Sequence, residues 1–287
     1  MFDFPENINI PLGEGVDVAM DWIIQHFGGF FDVVGEMILW FMLRLEKFFL
    51  WIPWPVLIVI VGLVSWYMMK KWYMGLIMSV MLFFIGTLGL WKLSMMTLAL
   101  VTGAVIISLA IGIPIGIAMA GSNRFDAVIK PFLDGMQTMP SFVYLIPALM
   151  LFGLGKVPAL FATIIYSVPP VIRLTNVGIR EVSPNVVEAA HAFGSSYWQI
   201  LFKVQLPLAR PTIMVGINQT TMMALAMVVV ASMIGARGLG LEVLLAINRI
   251  EIGRGVEAGL CIVFLAIIID RLTYALASSK KQSQSIS

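Results

Sequence analysis

Apolar residues dominate long stretches of this chain, and polar residues rarely interrupt them. A helix that crosses a bilayer needs about 20 largely apolar residues. Seven segments meet or approach that length: residues 53–69, 72–91, 94–120, 136–154, 157–175, 211–234 and 256–276. A soluble domain would break such runs every few residues, because its strands and helices must each present a polar face to water. The pattern predicts an all-α fold, a polytopic transmembrane helical bundle of about seven spans.

The amino-acid composition also indicates that most of the chain is surrounded by lipid. Hydrophobic residues make up 60% and charged residues 12% of the 287 positions, whereas soluble domains carry about 25% charged residues. The net charge is only +2 and the basic residues are scattered, so we expect no nucleic acid as a partner. Cys261 stands alone, and His26 and His191 lie far apart, so we expect no metal site.

The first 52 residues differ from the rest, because acidic side chains are mixed with aromatic ones. This composition is typical of a helix that lies in the membrane interface, and we expect Gly28 and Gly29 to break it in two. It could serve as an external scaffold or docking element, or simply anchor the first span. The chain then divides into four parts: an external interfacial region (1–52), two accessory helices (53–91), a five-span core (92–277) and a tail (278–287).

The distribution of basic residues indicates the orientation, because Lys and Arg are enriched in cytoplasmic loops. With the loop between the fifth and sixth spans placed inside, 11 of the 18 basic residues lie inside and seven lie outside. This bias predicts an external N-terminus and a cytoplasmic C-terminus.

The loop between the fifth and sixth spans, residues 183–207, carries signals for a short first helix. Ser183 suits an N-cap and Pro184 suits the first helical position. Gly194 suits the left-handed residue that closes a helix. Small residues at Ala189 and Ala190 permit the close approach of a partner.

A second short helix is predicted to follow in the same loop. Ser195 or Ser196 can cap it, it should cover residues 197–204, and Pro207 should end it before the next span begins. The two helices together predict a helix-turn-helix elbow at the membrane surface, and an amphipathic helix of this kind commonly docks in a groove of a partner. We call residues 183–207 the elbow.

Several polar side chains lie at membrane depth in the fourth and sixth spans. They are Gln137, Thr138, Ser141, Asn218, Gln219, Thr220 and Thr221. Because amides and hydroxyls in lipid must find partners or water, two interpretations remain open. These residues line a translocation pathway, or they join neighbouring helices.

The chain offers no loop that would bind the phosphates of ATP. Residues 155–157 resemble part of a phosphate-binding loop but lack its first Gly and the hydroxyl that would bind magnesium. Residues 235–240 are Gly-rich, but they follow a span on the predicted outer side, so we interpret them as a tight external loop. Any ATP must therefore bind to another subunit.

The elbow resembles the signature loop of the permease subunits of ATP-binding-cassette (ABC) importers. That signature reads Glu-Ala-Ala, three residues, Gly, nine residues, Ile, one residue, Leu-Pro. The matching positions here are Glu188, Ala189, Ala190, Gly194, Leu206 and Pro207, with Val204 in place of Ile. The resemblance implies a type I ABC importer permease, in which Glu188 contacts the ATPase and Gly194 forms the turn.

Longer stretches resemble one branch of that family, the permeases for glycine betaine, proline betaine, carnitine and choline. These stretches are residues 136–147, 201–208, 216–219 and 238–243. The resemblance implies a non-enzymatic transport subunit in a bacterial cell membrane that binds no cofactor itself. Its expected partners are two cytoplasmic ATPase subunits that hold ATP and magnesium, an external substrate-binding protein or lipoprotein, a second copy of the chain, and membrane lipid.

Two alternatives to a betaine importer remain at this stage. An ABC permease for another small solute, such as an amino acid or a phosphonate, would share the elbow. An ion-coupled secondary transporter would normally need a carboxylate deep in the core spans, and Asp270 is expected near a cytoplasmic end instead.

Overall fold

The computed structural model of the chain describes residues 12–278. Its helices in chain order are α1 (Leu12–Trp51), α2 (Trp54–Met69), α3 (Trp72–Thr87), α4 (Trp91–Gly121), α5 (Asn123–Thr138), α6 (Leu145–Phe152), α7 (Lys156–Ser167), α8 (Pro169–Arg180), α9 (Pro184–Ala192), α10 (Tyr197–Ile200), α11 (Leu206–Ser232), α12 (Leu239–Arg249) and α13 (Ile252–Ser278). A 3-10 helix (Ser141–Tyr144) precedes α6, and a π-helical segment (Leu201–Gln205) precedes α11. Strands are absent from the described residues. The predicted tail, apart from its first residue, lies outside them.

The predicted polytopic helical bundle is confirmed. Four helical stretches are long and apolar enough to cross a membrane: Trp91–Gly121, Lys156–Arg180, Tyr197–Ser232 and Ile252–Ala275. Two bent pairs, α1 with α2 and α5 with the segment that ends in α6, raise the number within the described residues to as many as six. The remaining predicted span corresponds to α3, an apolar helix of 16 residues. At about 1.5 Å per residue it is shorter than a typical crossing.

The predicted fourth span, residues 136–154, does not correspond to one continuous helix. The chain bends by 109° between α5 and the segment that ends in α6. Proline disfavours helical geometry in the residue before it, and Met139, which precedes Pro140, is extended with φ −67° and ψ 136°. The break therefore separates the amphipathic α5 from the apolar α6.

The prediction that Gly28 and Gly29 break the N-terminal helix is also wrong. Helix α1 runs through both glycines for 40 residues, because a glycine costs a helix only about 1 kcal/mol relative to alanine. Its second half packs against α4, α6 and α7, with Met42 and Glu46 buried. The chain turns by 93° between α1 and α2, so the axes of the two helices are nearly perpendicular. An interfacial helix followed by a membrane span would have this geometry.

Helices α2 and α3 form a hairpin that packs against α13. A Cβ atom on Gly62 would lie 2.3 Å from Ser79 Oγ, and one on Gly75 would lie 2.5 Å from the Gly62 carbonyl oxygen. The two helix backbones are therefore nearly in contact, as small residues allow in membranes. This hairpin coincides with the predicted accessory helices, whose separation from the core stays a prediction.

The centre of the bundle is α8, which is held between α4 and α11. A Cβ atom on Gly116 of α4 would lie 2.6 Å from Thr175 Cβ, and one on Gly216 of α11 would lie 3.2 Å from Val171 Cα. The hydroxyls of Ser108 and Ser167 add a buried hydrogen bond of 3.2 Å nearby. Helix α8 is therefore packed closely against both of its neighbours.

Candidate functional site

The first limb of the elbow is α9, and it ends as predicted. Gly194 adopts the left-handed conformation with φ +76°. The Ser195 N–H donates to the Ala190 carbonyl over 3.1 Å, and the Gly194 N–H donates to the His191 carbonyl over 2.9 Å. These two bonds form a Schellman motif, the usual glycine-dependent end of a helix. The turn predicted at Gly194 is confirmed.

The second limb begins at Ser196, which decides between the two caps that the sequence allowed. Ser196 is the N-cap of α10, and its N–H donates to Gln199 Oε1 over 2.8 Å as part of a capping box. At the start of the first limb, Ser183 occupies the N-cap position but makes no side-chain capping bond.

The prediction that Pro207 ends the second limb is wrong. Residues Tyr197–Ser232 form one continuous helix, because a π turn lies just before the proline. In this turn the Leu206 N–H donates to the Leu201 carbonyl, five residues back. The widened turn makes room for the proline ring, which would clash with the preceding turn in a regular helix interior. The second limb is therefore the beginning of a membrane-spanning helix.

One side of the elbow is anchored to the bundle, and the other side is exposed. Leu201 of the elbow and Val182, the residue just before it, are buried in a cluster with Ile179, Ala209 and Ile213. This cluster holds the elbow against α8 and α11.

The exposed side contains most of the predicted docking residues. Glu188, Ala189, Gly194 and Pro207 are exposed, and Ala190, Val204 and Leu206 are half-buried. The neighbouring Phe193 is 91% exposed, and Trp198 and Phe202 stack with their ring centroids 6.0 Å apart. The exposed side of the elbow therefore presents apolar rings as well as the charged Glu188. That Glu188 and its neighbours dock on an ATPase stays a prediction.

The polar residues at membrane depth differ in their hydrogen-bond partners. Asn218 Nδ2 donates to Asp270 Oδ1 over 2.9 Å, which joins α11 to α13. The Thr221 hydroxyl donates to the Ile217 carbonyl within its own helix, and Thr138 bonds to the carbonyl of Asp134 in the same way. These contacts favour the interhelical interpretation for Asn218 and a local role for the two threonines.

Gln137, Ser141 and Gln219 keep the pathway interpretation open. Gln137 and Gln219 are exposed in the single chain, and Ser141 is half-buried. Gln219 lies on one exposed stripe of α11 with Val215 and Met222, a spacing that places all three on the same helix face. This face is available to a pathway or to a second copy of the chain.

The Gly-rich residues 235–240 are a packing element. A Cβ atom on Gly238 would lie 2.6 Å from Thr97 Oγ1, and one on Gly240 would lie 2.4 Å from the Val228 carbonyl oxygen. The Leu239 N–H donates to Thr97 Oγ1 over 2.9 Å. The segment is therefore wedged between α4 and α11. Helix α12, which begins there, was not predicted.

Sequence analysis also missed a buried polar network beside the elbow. Asp126 and Asn176 are both buried, and Asn176 Nδ2 donates to Asp126 Oδ1 over 2.6 Å. Lys130 donates to the other oxygen of Asp126 over 2.7 Å. The available signal was weak: Asp126 and Lys130, like Asn176 and Arg180, are four residues apart on a helix.

The described residues thus form a bundle of apolar helices with an exposed elbow before one of its long membrane-spanning helices. The family model of the binding-protein-dependent transport system inner membrane component matches residues 112–282. That match covers more than half of the chain, and the chain belongs to this family.

Similar proteins agree with this assignment. The glycine betaine/carnitine transport permease protein GbuB of Listeria monocytogenes is 47% identical over 96% of this chain and 99% of its own length. The glycine betaine/proline betaine transport system permease protein ProW of Escherichia coli is 46% identical over 95% of this chain and 77% of its own length. The resemblance inferred from the sequence is confirmed.

A solved structure supports the fold independently. The inward-facing MetNI methionine ABC transporter matches with a TM-score of 0.52 over 67% of this chain and 93% of its own. At 18% identity this likeness concerns the fold alone. It confirms the predicted type I importer architecture.

Proposed function

We propose that this chain is the permease subunit of an ATP-driven, binding-protein-dependent importer for quaternary ammonium osmolytes. Glycine betaine is the first candidate, with proline betaine, carnitine or choline as further substrates. The observation that carries the proposal is the exposed elbow, with its Schellman turn at Gly194, in a chain 44–47% identical to permeases named for glycine betaine. ATP and magnesium belong to the partner subunit.

The packing suggests how force from an ATPase would reach the pathway. Glu188 and the exposed face of α9 would sit in a groove of the ATPase. The elbow is anchored to α8 and α11 through Val182 and Leu201, and α8 is in close contact with α4 through Gly116. A displacement of the elbow would therefore rotate three helices together and alternate access to the pathway.

Two copies of the chain are proposed in the assembly, because one chain carries one elbow and an ATPase pair has two grooves. The exposed stripe of α11 around Gln219, together with Gln137 and Ser141, would face the pathway between the copies. No part of this arrangement requires the chain to perform chemistry.

The orientation proposed is an external N-terminus and a cytoplasmic C-terminus. Glu46 of α1 forms an ion pair of 2.5 Å with Lys156, the first residue of α7. The elbow follows the opposite end of the continuous stretch Lys156–Arg180. This geometry supports placing the end of α1 and the elbow on opposite sides of the membrane.

Docking through the elbow is tested by co-purification of a tagged permease with its ATPase. Glu188→Lys reverses an exposed charge on α9, and we expect the ATPase to be lost during purification. Glu36→Lys is the matched control, because it makes the same substitution at an exposed glutamate of α1. Retention of the ATPase by Glu188→Lys, or its equal loss from both variants, would contradict docking at the elbow.

A further inference from the structure

Arg180 is the last residue of α8, and its guanidinium joins three segments of the chain. Its Nε donates to Asn176 Oδ1 over 2.8 Å within α8. One terminal nitrogen donates to Asn123 Oδ1 at the start of α5 over 2.7 Å. The other donates to the Met119 carbonyl in the last turn of α4, also over 2.7 Å. All three donor nitrogens of the planar guanidinium are therefore used, as only arginine allows.

The buried carboxylate of Asp126 holds Asn176, one of the acceptors of Arg180, in place. Asp126 accepts bonds from Asn176 and Lys130, and one of its oxygens lies 3.8 Å from a terminal nitrogen of Arg180. Asn176 thus receives a bond from Arg180 and gives one to Asp126, so both ends of its amide have partners. Asp126 and Asn176 are the buried members of the network, and a buried polar pair whose groups all have partners favours one arrangement of its members.

The position of this network relates it to the elbow. Only Glu181, Val182 and Ser183 separate Arg180 from α9, and Val182 is buried against the bundle. The carbonyl that Arg180 binds lies in the last turn of α4, where the helix dipole favours a positive charge. A change in the angle of the elbow must therefore either carry the ends of α4 and α5 with it or break these bonds.

We propose that Arg180 is a positioning residue for energy coupling, which links movement of the elbow to α4 and α5. The inference rests on the proposed function, because it assigns a role within ATP-driven transport. Arg180 would touch neither the solute nor ATP. Its loss should leave an assembled complex in which ATP hydrolysis and solute movement are no longer matched.

The test uses the complete importer in proteoliposomes, with ATP enclosed and the loaded binding protein outside. The measured quantity is the number of glycine betaine molecules taken up per ATP hydrolysed. For Arg180→Gln we expect that ratio to fall about tenfold, the size of effect associated with losing hydrogen bonds to a charged group, while the ATPase still co-purifies. Arg180→Lys keeps the charge but not the planar fork, and we expect it to remain uncoupled.

Arg173→Gln is the matched control, because Arg173 forms an ion pair with Asp134 between the same two helices, α8 and α5. We expect this variant to keep the wild-type ratio, since such exposed pairs contribute little. Asn123→Ala removes one exposed acceptor from the network, and an intermediate ratio would support the proposal in a variant that folds normally. Full coupling in Arg180→Gln or Arg180→Lys, or equal loss in Arg173→Gln, would overturn it.

Failure of the proposed function gives a different result from failure of this inference. If the wild-type complex shows no ATP-dependent uptake, the function itself is wrong. If the wild type transports and Arg180→Gln transports with the same ratio, only the role of Arg180 is wrong. A ratio that falls only in proportion to lost thermal stability would make Arg180 a merely structural residue and would also overturn the inference.

Discussion

Gly194 sets the angle between the two limbs of the elbow through its left-handed backbone. A residue with a Cβ atom costs about 1–2 kcal/mol in that conformation, and nothing within 4 Å of Gly194 would otherwise obstruct a methyl group. We therefore expect Gly194→Ala to lower stability by about that amount and to weaken retention of the ATPase by altering the turn. Thermal unfolding and co-purification measure the two effects.

Gly135 provides a control for that substitution. It lies in α5 without a positive φ, and no atom lies within 4 Å of an added Cβ. Gly135→Ala should therefore be neutral or slightly stabilising, because alanine favours a helix by up to about 1 kcal/mol. Equal effects of the two substitutions would show that backbone conformation is not the reason.

The close contact between helices α4 and α8 depends on the absence of a side chain at Gly116. A Cβ atom there would lie 2.6 Å from Thr175 Cβ and 2.7 Å from the Ile172 carbonyl oxygen. Because a backbone atom cannot give way easily, we expect Gly116→Ala to cost about 1–3 kcal/mol and to reduce transport. Gly86→Ala is the control, since its nearest neighbour is a Trp91 ring atom at 3.9 Å. Equal melting temperatures for both variants would contradict tight packing of α8.

Substitutions of Asn218 and Gln137 distinguish polar residues that join helices from polar residues that line the pathway. Asn218 bonds to Asp270 between α11 and α13, so Asn218→Leu should lower stability by about 1 kcal/mol, as interhelical bonds in membranes do. Gln137 is exposed, so Gln137→Leu should keep stability and alter uptake. Thermal unfolding and solute uptake, measured on both variants, distinguish these outcomes. Unchanged transport by Gln137→Leu would remove it from the pathway.

The helices themselves were predictable because lipid forces the backbone to bond within each span. The turn at Gly194 was predictable because its signal is local. The π turn before Pro207 was not predictable. The sequence shows a proline, which normally interrupts a helix, but it does not show that a π turn accommodates it. The network around Arg180 joins residues as many as 61 positions apart, and no local pattern contains such a contact.

At the scale of the whole molecule, substrate choice distinguishes the proposed importer from permeases for other small solutes. Excess unlabelled carnitine, choline or proline betaine should compete with labelled glycine betaine for uptake, because they share a quaternary ammonium group that aromatic faces recognise. Methionine lacks this group and should not compete. Competition by methionine alone would favour the alternative substrate class.

ATP-driven uptake of labelled glycine betaine into proteoliposomes is the decisive measurement for the proposed importer. The chain and its ATPase are reconstituted with ATP enclosed, binding protein outside, and ionophores present to collapse ion gradients. We expect uptake that requires both ATP and the binding protein and that ionophores do not reduce. Uptake that continues without ATP and disappears with the ionophores would contradict it and indicate an ion-coupled transporter.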